Sequence, residues 1–397
     1  MHIYLLKKNT VEKYLSQFGH AIELADLSHN LYWDVVLIVP VCGENPDAIE
    51  HLMQKHNDQK ALVVVCINRP EGHEKTEQWC LENKALKNHL MSFAEHVLPI
   101  GSHQLLQTIH GWDCLLLNFN DKPFSAKAGV GLARKIAADT ALALINRGQV
   151  GKHWIHSTDA DVVLPTGYFD VVNKQNVCTA ISLPFEHVSE DKALLSYQEQ
   201  YDFKLYYYQW GMKQVGSAYD YIPLGSTLIV AATAYAQVRG FPIKSGGEDF
   251  YLLNKLVKLG SIAQPRSPVI EIASRLSDRV PFGTGPAVIK YQSSDTEPLY
   301  YHPETFQIIK NWRIKLLNHY HDVNIMNAAT NDEKLLNDFW SWPSIYQKNI
   351  NKIKTETRWK QFIHEWLDAF KLLKSVHFLR QSYPEVSRGE LRFYSEK

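Results

Sequence analysis

The chain has 397 residues and carries 42 basic and 42 acidic side chains, so its formal net charge at pH 7 is zero. A chain of this length is expected to form two or three domains around a large buried core. Because the charges balance, the composition favours neither nucleic acid nor an anionic membrane as a partner. Aromatic residues make up 12% of the chain, which suits either an ordinary aromatic core or a protein that binds sugar rings.

The five cysteines indicate a reducing compartment. They are odd in number and widely spaced, without a C-x-x-C motif, and Cys66, Cys114 and Cys178 lie in or beside apolar stretches. Lysines interrupt the N-terminal sequence before any apolar segment long enough for a signal peptide. No window approaches the roughly 20 apolar residues of a membrane-spanning helix. We therefore expect a soluble, cytoplasmic protein without a transmembrane segment, which leaves peripheral contact with a membrane open.

The first part of the chain predicts alternating strands and helices. Residues 34–41 (DVVLIVPV) and 61–67 are continuous apolar stretches rich in β-branched residues, typical of strands that are covered on both faces in a parallel sheet. A helix predicted at 47–55 connects them into a βαβ unit. A polar helical region and a third strand at 113–118 follow.

Polar residues follow several of these strands. Residues 122–149 predict a glycine-containing loop and then a helix from Leu132, and the next strand runs into the sequence STDAD. In open α/β sheets, ligands bind beyond the carboxyl ends of the strands, where Gly43, Asn68 and Asp159 are expected to lie. The fold class is therefore predicted to be α/β with a doubly wound sheet.

Asp159 and Asp161 form the first acidic pair. Two carboxylates spaced i and i+2 at a strand end can both reach one hard cation, and such a site leaves positions for water and for the oxygens of a diphosphate. The same Asp-x-Asp spacing also occurs in ordinary turns. The pair alone therefore does not decide between a metal site and a turn.

Glu248 and Asp249 form the second acidic pair, directly before a periodic helix predicted at 250–259. Carboxylates are favourable at a helix start, so the pair could simply cap the helix. Two preceding glycines would also let the backbone approach a ligand. Together, one pair could hold a cation on a diphosphate while the other supplies a general base, which transfer of a sugar from a diphosphate requires.

The rest of the chain predicts further elements and a change in composition. Strands are expected at 178–184 and 225–232, and helices at 194–213 and 234–238. From residue 304 onward the sequence turns helical, charged and rich in tryptophan. This shift predicts two regions, 1–303 and 304–397. The tail helices are expected to pack on the first region, although an amphipathic face could also meet a lipid-linked acceptor.

Five motifs occur in a fixed order between about residues 34 and 260: IVPVCGEN, KAGVGLARKIAADTAL, STDAD, GSTLIVAATAYAQVRGFP and GGEDFYLLNKLVKLG. In this order they resemble the family 2 glycosyltransferases of the GT-A fold, a Rossmann-like mixed sheet. The resemblance implies a hexosyltransferase-type enzyme (EC 2.4), dependent on Mn²⁺ or Mg²⁺, that moves a sugar with inversion from a nucleoside-diphosphate sugar to a hydroxyl acceptor. Such an acceptor is a glycan, as in polysaccharide biosynthesis, a glycolipid or a small molecule.

The resemblance also implies roles for single residues. Asp249 would be the general base, and Glu248 would contact the acceptor or the donor sugar. Asp159 would hold the ribose and the metal, with Asp161 the firmer metal ligand. The other residues expected to bind the nucleotide sugar are Pro40, Val41, Glu44, Asn68, Lys127 and Arg134, the last reaching the base or the diphosphate. Lys135 stands where the family commonly has Asn, and Asn68 where it often has Asp, which leaves the nucleotide open.

Three later residues are candidates on their chemistry. Arg275 and Arg279 precede a Gly-Thr-Gly sequence at 283–285, and arginine forks beside flexible glycines suit a segment that closes over a diphosphate. A surface turn with two solvated arginines would have the same sequence. His302 could return as a third metal ligand, although histidine is commonly structural.

Two other functions fit part of the pattern. A sugar nucleotidyltransferase shares the sheet and the need for a metal, but it would ordinarily have a glycine-rich, basic segment after its first strand, and CGENPD lacks both features. A nucleotide-sugar-binding protein without catalysis is the other alternative. Retention of Asp159, Asp161 and Asp249 argues against it.

Overall fold

A computed structural model describes residues 7–56, 60–175, 177–276, 279, 283–293 and 297–393. The chain divides into two compact units. One comprises the residues up to Gln198 together with Pro223–Ile289, and the other comprises Glu199–Ile222 with Lys290–Lys397. The sequence-based boundary near residue 303 stays a prediction.

The strands lie in the first unit. They are β1 Val35–Val41, β2 Ala61–Ile67, β3 Ala94–Ile100, β4 His103–Thr108, β5 Asp113–Asn118, β6 Trp154–Ser157, β7 Val162–Val163, β8 Ala180–Ser182, β9 Phe185–Val188, β10 Leu228–Ala231, β11 Ile262–Ala263 and β12 Ile270–Ala273. Within the described residues, nine of them form one sheet in the order β11-β8-β10-β6-β1-β2-β5-β4-β3, and β7, β12 and β9 form a second sheet. The fold is therefore mixed α/β.

The helices occur in both units. They are α1 Lys8–Phe18, α2 Ala48–Met53, α3 Thr76–Ser92, α4 Gly129–Asn146, α5 Lys192–Val215, α6 Ala232–Gln237, α7 Glu248–Leu256, α8 Thr284–Ser293, α9 Pro303–Asn318, α10 Asn331–Phe339, α11 Trp342–Ile350, α12 Glu356–Trp366 and α13 Ala369–Leu379. In the described part of the chain, none of these helices has the length and apolar character needed to cross a membrane.

The centre of the large sheet is parallel and fully covered. β1 pairs in parallel with β2 on one side and β6 on the other, and β2 pairs in parallel with β5. Every position of β1 and β2 is buried, which agrees with strands covered on both faces. β10 runs antiparallel between β6 and β8, and β3 and β4 are antiparallel at the far edge. Helix α4 packs on β1, β2 and β6 through small residues such as Ala133, Ala137 and Ala141, which are fully buried.

Two stretches differ from the sequence-based expectation. The region before β5, predicted as helical, contains the β3–β4 hairpin after α3. Most positions of β3 are exposed, so this edge strand has no apolar alternation to reveal it. The predicted loop at Gly129 and Gly131 is instead the first turn of α4. A Cβ on Gly131 would lie 2.5 Å from the carbonyl oxygen of Lys244, so the glycine lets the helix start lie against that backbone.

The tryptophans of the second unit form a core of their own. Trp312, Trp342 and Trp359 are almost completely buried, and each indole N–H donates a hydrogen bond. The acceptors are Oδ1 of Asn337, Nδ1 of His319 and the carbonyl oxygen of Leu316. Buried indoles commonly find such acceptors. Aromatic packing around them accounts for the tryptophan content of the tail, and packing on the first unit stays a prediction.

Candidate functional site

Several predicted site residues lie in loops that follow the carboxyl ends of strands in the large sheet. β1, β2 and β6 are parallel neighbours, so their carboxyl ends point to the same side. The segments that follow these strands carry Glu44, Asn68 and Asp159. Helix α7 begins with Glu248 rather than at the predicted residue 250, which places both carboxylates of the second pair within its first turn.

A buried arginine on α4 joins the two acidic pairs. Nε of Arg134 donates to Oε1 of Glu248 at 2.9 Å, and Nη2 donates to Oδ1 of Asp159 at 2.8 Å. Nη1 donates to Oγ of Ser157 at 2.9 Å and to the carbonyl oxygen of Gly225 at 3.1 Å. We call Arg134, Ser157, Asp159 and Glu248 the inner cluster. Its contacts hold the end of β6 and the start of α7 on one guanidinium group.

The inner cluster has more negative than positive charge once Asp249 is included. Arg134 is only 3% exposed, and although burial alone would lower its pKa, the carboxylates of Asp159 and Glu248 raise it above the ordinary value. Burial and, after it, the negative charge of Glu248 raise the pKa of Asp249 to about 7, against the opposing positive charge of Arg134. A carboxyl group with a pKa near neutral suits a general base.

A second group of charges lies at the end of β1. Both Nη atoms of Arg275 contact the carboxylate of Glu44, with Nη2 to Oε1 at 2.9 Å, and Nη2 also lies 2.9 Å from Oδ2 of Asp161. Nη1 of Arg279 donates to Oε1 of Glu44 at 2.7 Å, and its Nη2 donates to the carbonyl oxygen of Gly43. We call Glu44, Asp161, Arg275 and Arg279 the outer cluster.

The small sheet explains how Arg275 reaches Asp161. β12 pairs antiparallel with β7, and the N–H of Ala273 donates to the carbonyl oxygen of Asp161 at 2.8 Å. Arg275 follows β12 by two residues, so its side chain comes beside the acidic loop. Burial raises the pKa of Asp161 to about 6, and the positive charge of Arg275 opposes that shift. The predicted Gly-Thr-Gly segment at 283–285 begins α8, and residues 277, 278 and 280–282 lie outside the described residues.

The donor set at Asp159 and Asp161 fits a hard divalent cation. One oxygen of each carboxylate contacts an arginine, Oδ1 of Asp159 with Arg134 and Oδ2 of Asp161 with Arg275. The second oxygens are the atoms that a cation would use. Within the part of the chain that the structure describes, no group of three or more His, Cys, Asp or Glu side chains is arranged to hold a metal ion. Two carboxylates suit a cation that takes its other ligands from water and a diphosphate.

His302 lies in the second unit, directly before α9. Its Nδ1 accepts a hydrogen bond from the backbone N–H of Glu304 at 3.1 Å and so caps that helix. This contact is a sufficient structural role for the side chain. A third metal ligand at His302 stays a prediction.

The residues expected to line the nucleotide occupy different environments. Pro40 and Val41 are buried in β1, so any contact with a ligand would come from their backbone. Nδ2 of Asn68 donates to the carbonyl oxygen of Val41 at 3.0 Å. Lys127 is exposed in the turn before α4.

Sequence reasoning missed the contribution of α3. Asn83 accepts a hydrogen bond from the N–H of Gly43 at 2.9 Å and donates to the carbonyl oxygen of Asn68 at 2.9 Å, so it ties the loops after β1 and β2 together. A cavity of about 200 Å³ opens beside these loops, and its lining residues are Gly43, Lys75, Gln78, Trp79, Glu82, Leu276 and Arg279. A lone asparagine on the apolar face of a helix is the signal that could have found Asn83.

Neither a protein-family model nor a curated protein sequence matches the chain. A solved structure of the mannosyltransferase PcManGT from Pyrobaculum calidifontis, in complex with GDP-Man and Mn²⁺, matches over 94% of this chain and 93% of that chain. The sequence identity is 12% and the TM-score is 0.34. At these values the likeness does not assign this chain to a family.

Proposed function

We propose that the chain is a metal-dependent glycosyltransferase of the GT-A fold that transfers a sugar from a nucleoside-diphosphate sugar to a hydroxyl acceptor, with inversion. The observation that carries the proposal is the link between the two acidic pairs. Arg134 contacts both Asp159 and Glu248 within 2.9 Å, and Asp249 follows Glu248 directly. Acidic groups distant in sequence thus surround one small region at the carboxyl ends of parallel strands, where ligands of such sheets bind. The order of the five sequence motifs supports the same proposal.

Asp249 would act as the general base. In the proposed reaction, the acceptor hydroxyl oxygen forms a bond to the anomeric carbon, the bond from that carbon to the diphosphate oxygen breaks, and the hydroxyl proton passes to the Asp249 carboxylate. The raised pKa of Asp249 suits this transfer near neutral pH. Glu248 would contact the acceptor or the donor sugar from the same helical turn.

The outer cluster would hold the diphosphate end of the donor. Arg275 and Arg279 already bind carboxylate oxygens, and arginine forks bind phosphate oxygens with the same geometry. Asp159 and Asp161 would hold Mn²⁺ or Mg²⁺, which when bound would neutralise charge on the leaving diphosphate. The nucleotide would lie along Pro40, Val41, Glu44, Asn68 and Lys127. Residues 1–303 would form the catalytic domain, and residues 304–397 would form its helical extension.

A thermal-shift screen tests the proposal. The protein is heated with UDP-, GDP-, dTDP-, ADP- and CDP-sugars, each with and without Mn²⁺ or Mg²⁺. A ligand at 100 times its Kd stabilises a folded protein by about 2.7 kcal/mol, so a true donor raises Tm in a cation-dependent way. The stabilising nucleotide sugar is then assayed for slow hydrolysis and for transfer to candidate acceptors.

The controls separate catalysis from binding. Asp249→Asn should keep the cation-dependent rise in Tm and lose hydrolysis. Stabilisation of the wild type without any hydrolysis or transfer would favour a binding protein without catalysis. No stabilisation by any nucleotide sugar or free nucleoside diphosphate would contradict the proposal.

A further inference from the structure

Helix α4 places two buried cations next to each other in the sequence, with different surroundings. Arg134 is 3% exposed and Lys135 is 5% exposed. Nζ of Lys135 lies 3.1 Å from Oδ2 of Asp139 and donates to the hydroxyl of Tyr14 at 2.6 Å. Arg134 contacts the inner cluster instead. The two residues thus offer a natural pair in which one cation belongs to the candidate site and the other does not.

The hydrogen bonds of Arg134 leave little of the side chain for a ligand. An arginine has five N–H donors in a fixed plane, and Arg134 uses four of them on Glu248, Ser157, Gly225 and Asp159. These acceptors belong to separate segments, namely the end of β6, the turn before β10 and the first turn of α7. A group held this way sets the relative position of the segments that it joins.

The charges around Arg134 also depend on it. The Glu248 side chain is 4% exposed, and two nearby carboxylates in a poorly hydrated site disfavour each other's ionised form. With Arg134 removed, Asp159 and Glu248 would lose the cation that pairs with both of them, and Asp249 would lose a positive charge that lowers its pKa. The carboxylates of Asp159 and Glu248 would then be free to change position.

The backbone at Gly225 is shaped to the guanidinium. A Cβ at this position would lie 2.6 Å from Nη2 and 2.7 Å from Cζ of Arg134, both distances shorter than real side chains adopt. Gly225 does not have a positive φ, so alanine does not strain the backbone there, and the three atoms nearest to its Cβ would all belong to the guanidinium of Arg134. The close approach therefore exists to seat the arginine.

We propose that Arg134 is a positioning residue for the proposed sugar transfer. It holds the carboxylate that would bind the cation and the ribose at a set distance from the acidic pair of α7, and it does not contact the nucleotide. This inference rests on the proposed function. It assigns Arg134 a role different from the contact with base or diphosphate that the sequence resemblance implies.

The experiment compares Arg134→Lys, Arg134→Met and Gly225→Ala with the matched control Lys135→Met. Folding is followed by Tm, binding of UDP and of GDP with Mn²⁺ is measured by isothermal titration calorimetry, and hydrolysis of the corresponding nucleotide sugars is measured from pH 5 to 9. Gly225→Ala keeps the charge of Arg134 and places its Cβ against the guanidinium, so the test does not depend on Arg134→Met folding.

A positioning role has a specific signature. Arg134→Lys and Gly225→Ala should reduce kcat by about 100-fold, the usual effect of misplacing a catalytic group by about 1 Å, while Kd for the nucleoside diphosphate changes less than about threefold. In Arg134→Met, the low-pH limb of the rate profile should move to higher pH, because Arg134 lowers the pKa of Asp249. Lys135→Met should lower Tm without moving kcat or this limb.

Two results would overturn the inference. If Kd weakened by more than tenfold in Arg134→Lys while kcat stayed unchanged, Arg134 would contact the nucleotide. If the Arg134 and Gly225 variants lowered Tm as Lys135→Met does and left kcat and the pH profile unchanged, its role would be only structural. A wild-type protein that no nucleoside diphosphate or nucleotide sugar of the thermal-shift screen stabilises, and that hydrolyses none of these sugars, would overturn the proposed function, and this inference with it.

Discussion

The inner and outer clusters are built from the same chemical groups but differ in exposure and charge balance. In the inner cluster one arginine, whose side chain is 4% exposed, contacts two carboxylates. In the outer cluster two arginines, with side chains 33% and 22% exposed, share the carboxylates of Glu44 and Asp161. Breaking a buried pair leaves an uncompensated charge, whereas exposed ion pairs contribute little to stability. The inner cluster is therefore suited to a fixed scaffold, and the outer cluster to exchanging partners with a ligand.

Burial, together with the excess of negative charge in the inner cluster, explains the raised pKa of Asp249. The outer cluster has two cations for two carboxylates, whereas Arg134 contacts two carboxylates with a third, Asp249, close by. Excess negative charge in a buried place favours the protonated form of a carboxyl group. In the proposed reaction, the proton acceptor and the arginines that bind the diphosphate would thus lie at the two ends of one site.

The largest expected effect is at the inner end. Asp249→Asn removes the proposed base and should reduce transfer or hydrolysis by about 10²- to 10⁴-fold, the usual contribution of general base catalysis. Binding of the nucleoside diphosphate should stay within about threefold of the wild type, since binding belongs to the outer end. Steady-state kinetics and calorimetry measure the two quantities. Asp338→Asn, at an exposed aspartate of α10, is the control, and wild-type turnover in Asp249→Asn would contradict the assignment.

Asp161→Asn tests whether the arginines of the outer cluster exchange a carboxylate partner for the diphosphate. Asp161 is both the expected cation ligand and a partner of Arg275. Losing only a group that supports a metal ligand costs about 10- to 100-fold in metal affinity, so the affinity for UDP or GDP in Mn²⁺ should fall by at least about tenfold. In the presence of EDTA the affinity should stay equal or increase, because Arg275 is released from Asp161. Titrations with and without Mn²⁺ measure both values, and equal losses in the two conditions would contradict the exchange.

The strands and the residues of the two clusters differ in how far the sequence predicts them. Continuous apolar stretches predict β1, β2 and β5, and the placement of Glu44 and Asp159 on one side of the sheet follows from parallel strands whose carboxyl ends point the same way. The partner of Arg275 could not be predicted, because β7 has only two residues, too few for a periodic pattern. Nothing in the spacing of Arg134 indicated a buried network rather than a surface helix arginine.

The burial of Lys135 and Asp139 is a second feature that the sequence does not predict. Their i and i+4 spacing is that of an ordinary surface ion pair on a helix, but both side chains are buried, and Asp139 also accepts hydrogen bonds from Tyr14 and Tyr235 at 2.6 and 2.8 Å. These contacts hold α1 and α6 on α4. Which face of a helix is covered depends on elements distant in sequence, and a single sequence does not reveal that.

The pH dependence of kcat/KM is a smaller expected effect, and it also distinguishes the inner cluster from the outer cluster. Asp249 must be ionised to accept a proton, so kcat/KM should rise about tenfold per pH unit below pH 7 and level off above it. Glu248→Gln removes the negative neighbour that raises the pKa of Asp249, so the limb should move to lower pH. Glu44→Gln, in the outer cluster, should leave the limb in place. A limb that moved with Glu44 and not with Glu248 would reverse the assignment of the clusters.

The raised pKa of Asp249 also predicts that the folded protein loses stability as this carboxyl group ionises. The pKa of Asp249 rises from 3.8 to about 7 on folding, so its contribution to stability is full below about pH 4 and is lost as the pH rises through 7. Asp249→Asn avoids that loss. Its Tm should therefore exceed that of the wild type at pH 8, and the difference should disappear near pH 4. A variant less stable than the wild type at pH 8 would show that the ionised carboxylate is stabilised in the folded protein.

The smallest effect is expected for Glu44, which contacts both partly exposed arginines of the outer cluster. Its carboxylate occupies the forks of Arg275 and Arg279, so it would compete with a diphosphate for the same donors. Glu44→Gln keeps the size of the side chain and removes the charge. Arg275 and Arg279 are 33% and 22% exposed, so water screens their pairs with Glu44, and we expect removal of its charge to change binding by no more than about 1 kcal/mol. The affinity for UDP or GDP should therefore increase by about two- to fivefold when measured by calorimetry in EDTA.

The direction of the change in affinity shows whether Glu44 competes with the diphosphate or orients the arginines that bind it. If Glu44 instead orients the arginines towards the diphosphate, its removal weakens binding, because the forks lose the partner that holds them in place. Glu77→Gln provides the matched control, since Glu77 is 86% exposed and lies 3.9 Å from Arg69 outside both clusters. Unchanged binding in Glu77→Gln together with tighter binding in Glu44→Gln would mean that the outer cluster gives up its own carboxylate when the diphosphate enters, whereas the inner cluster keeps both of its partners throughout.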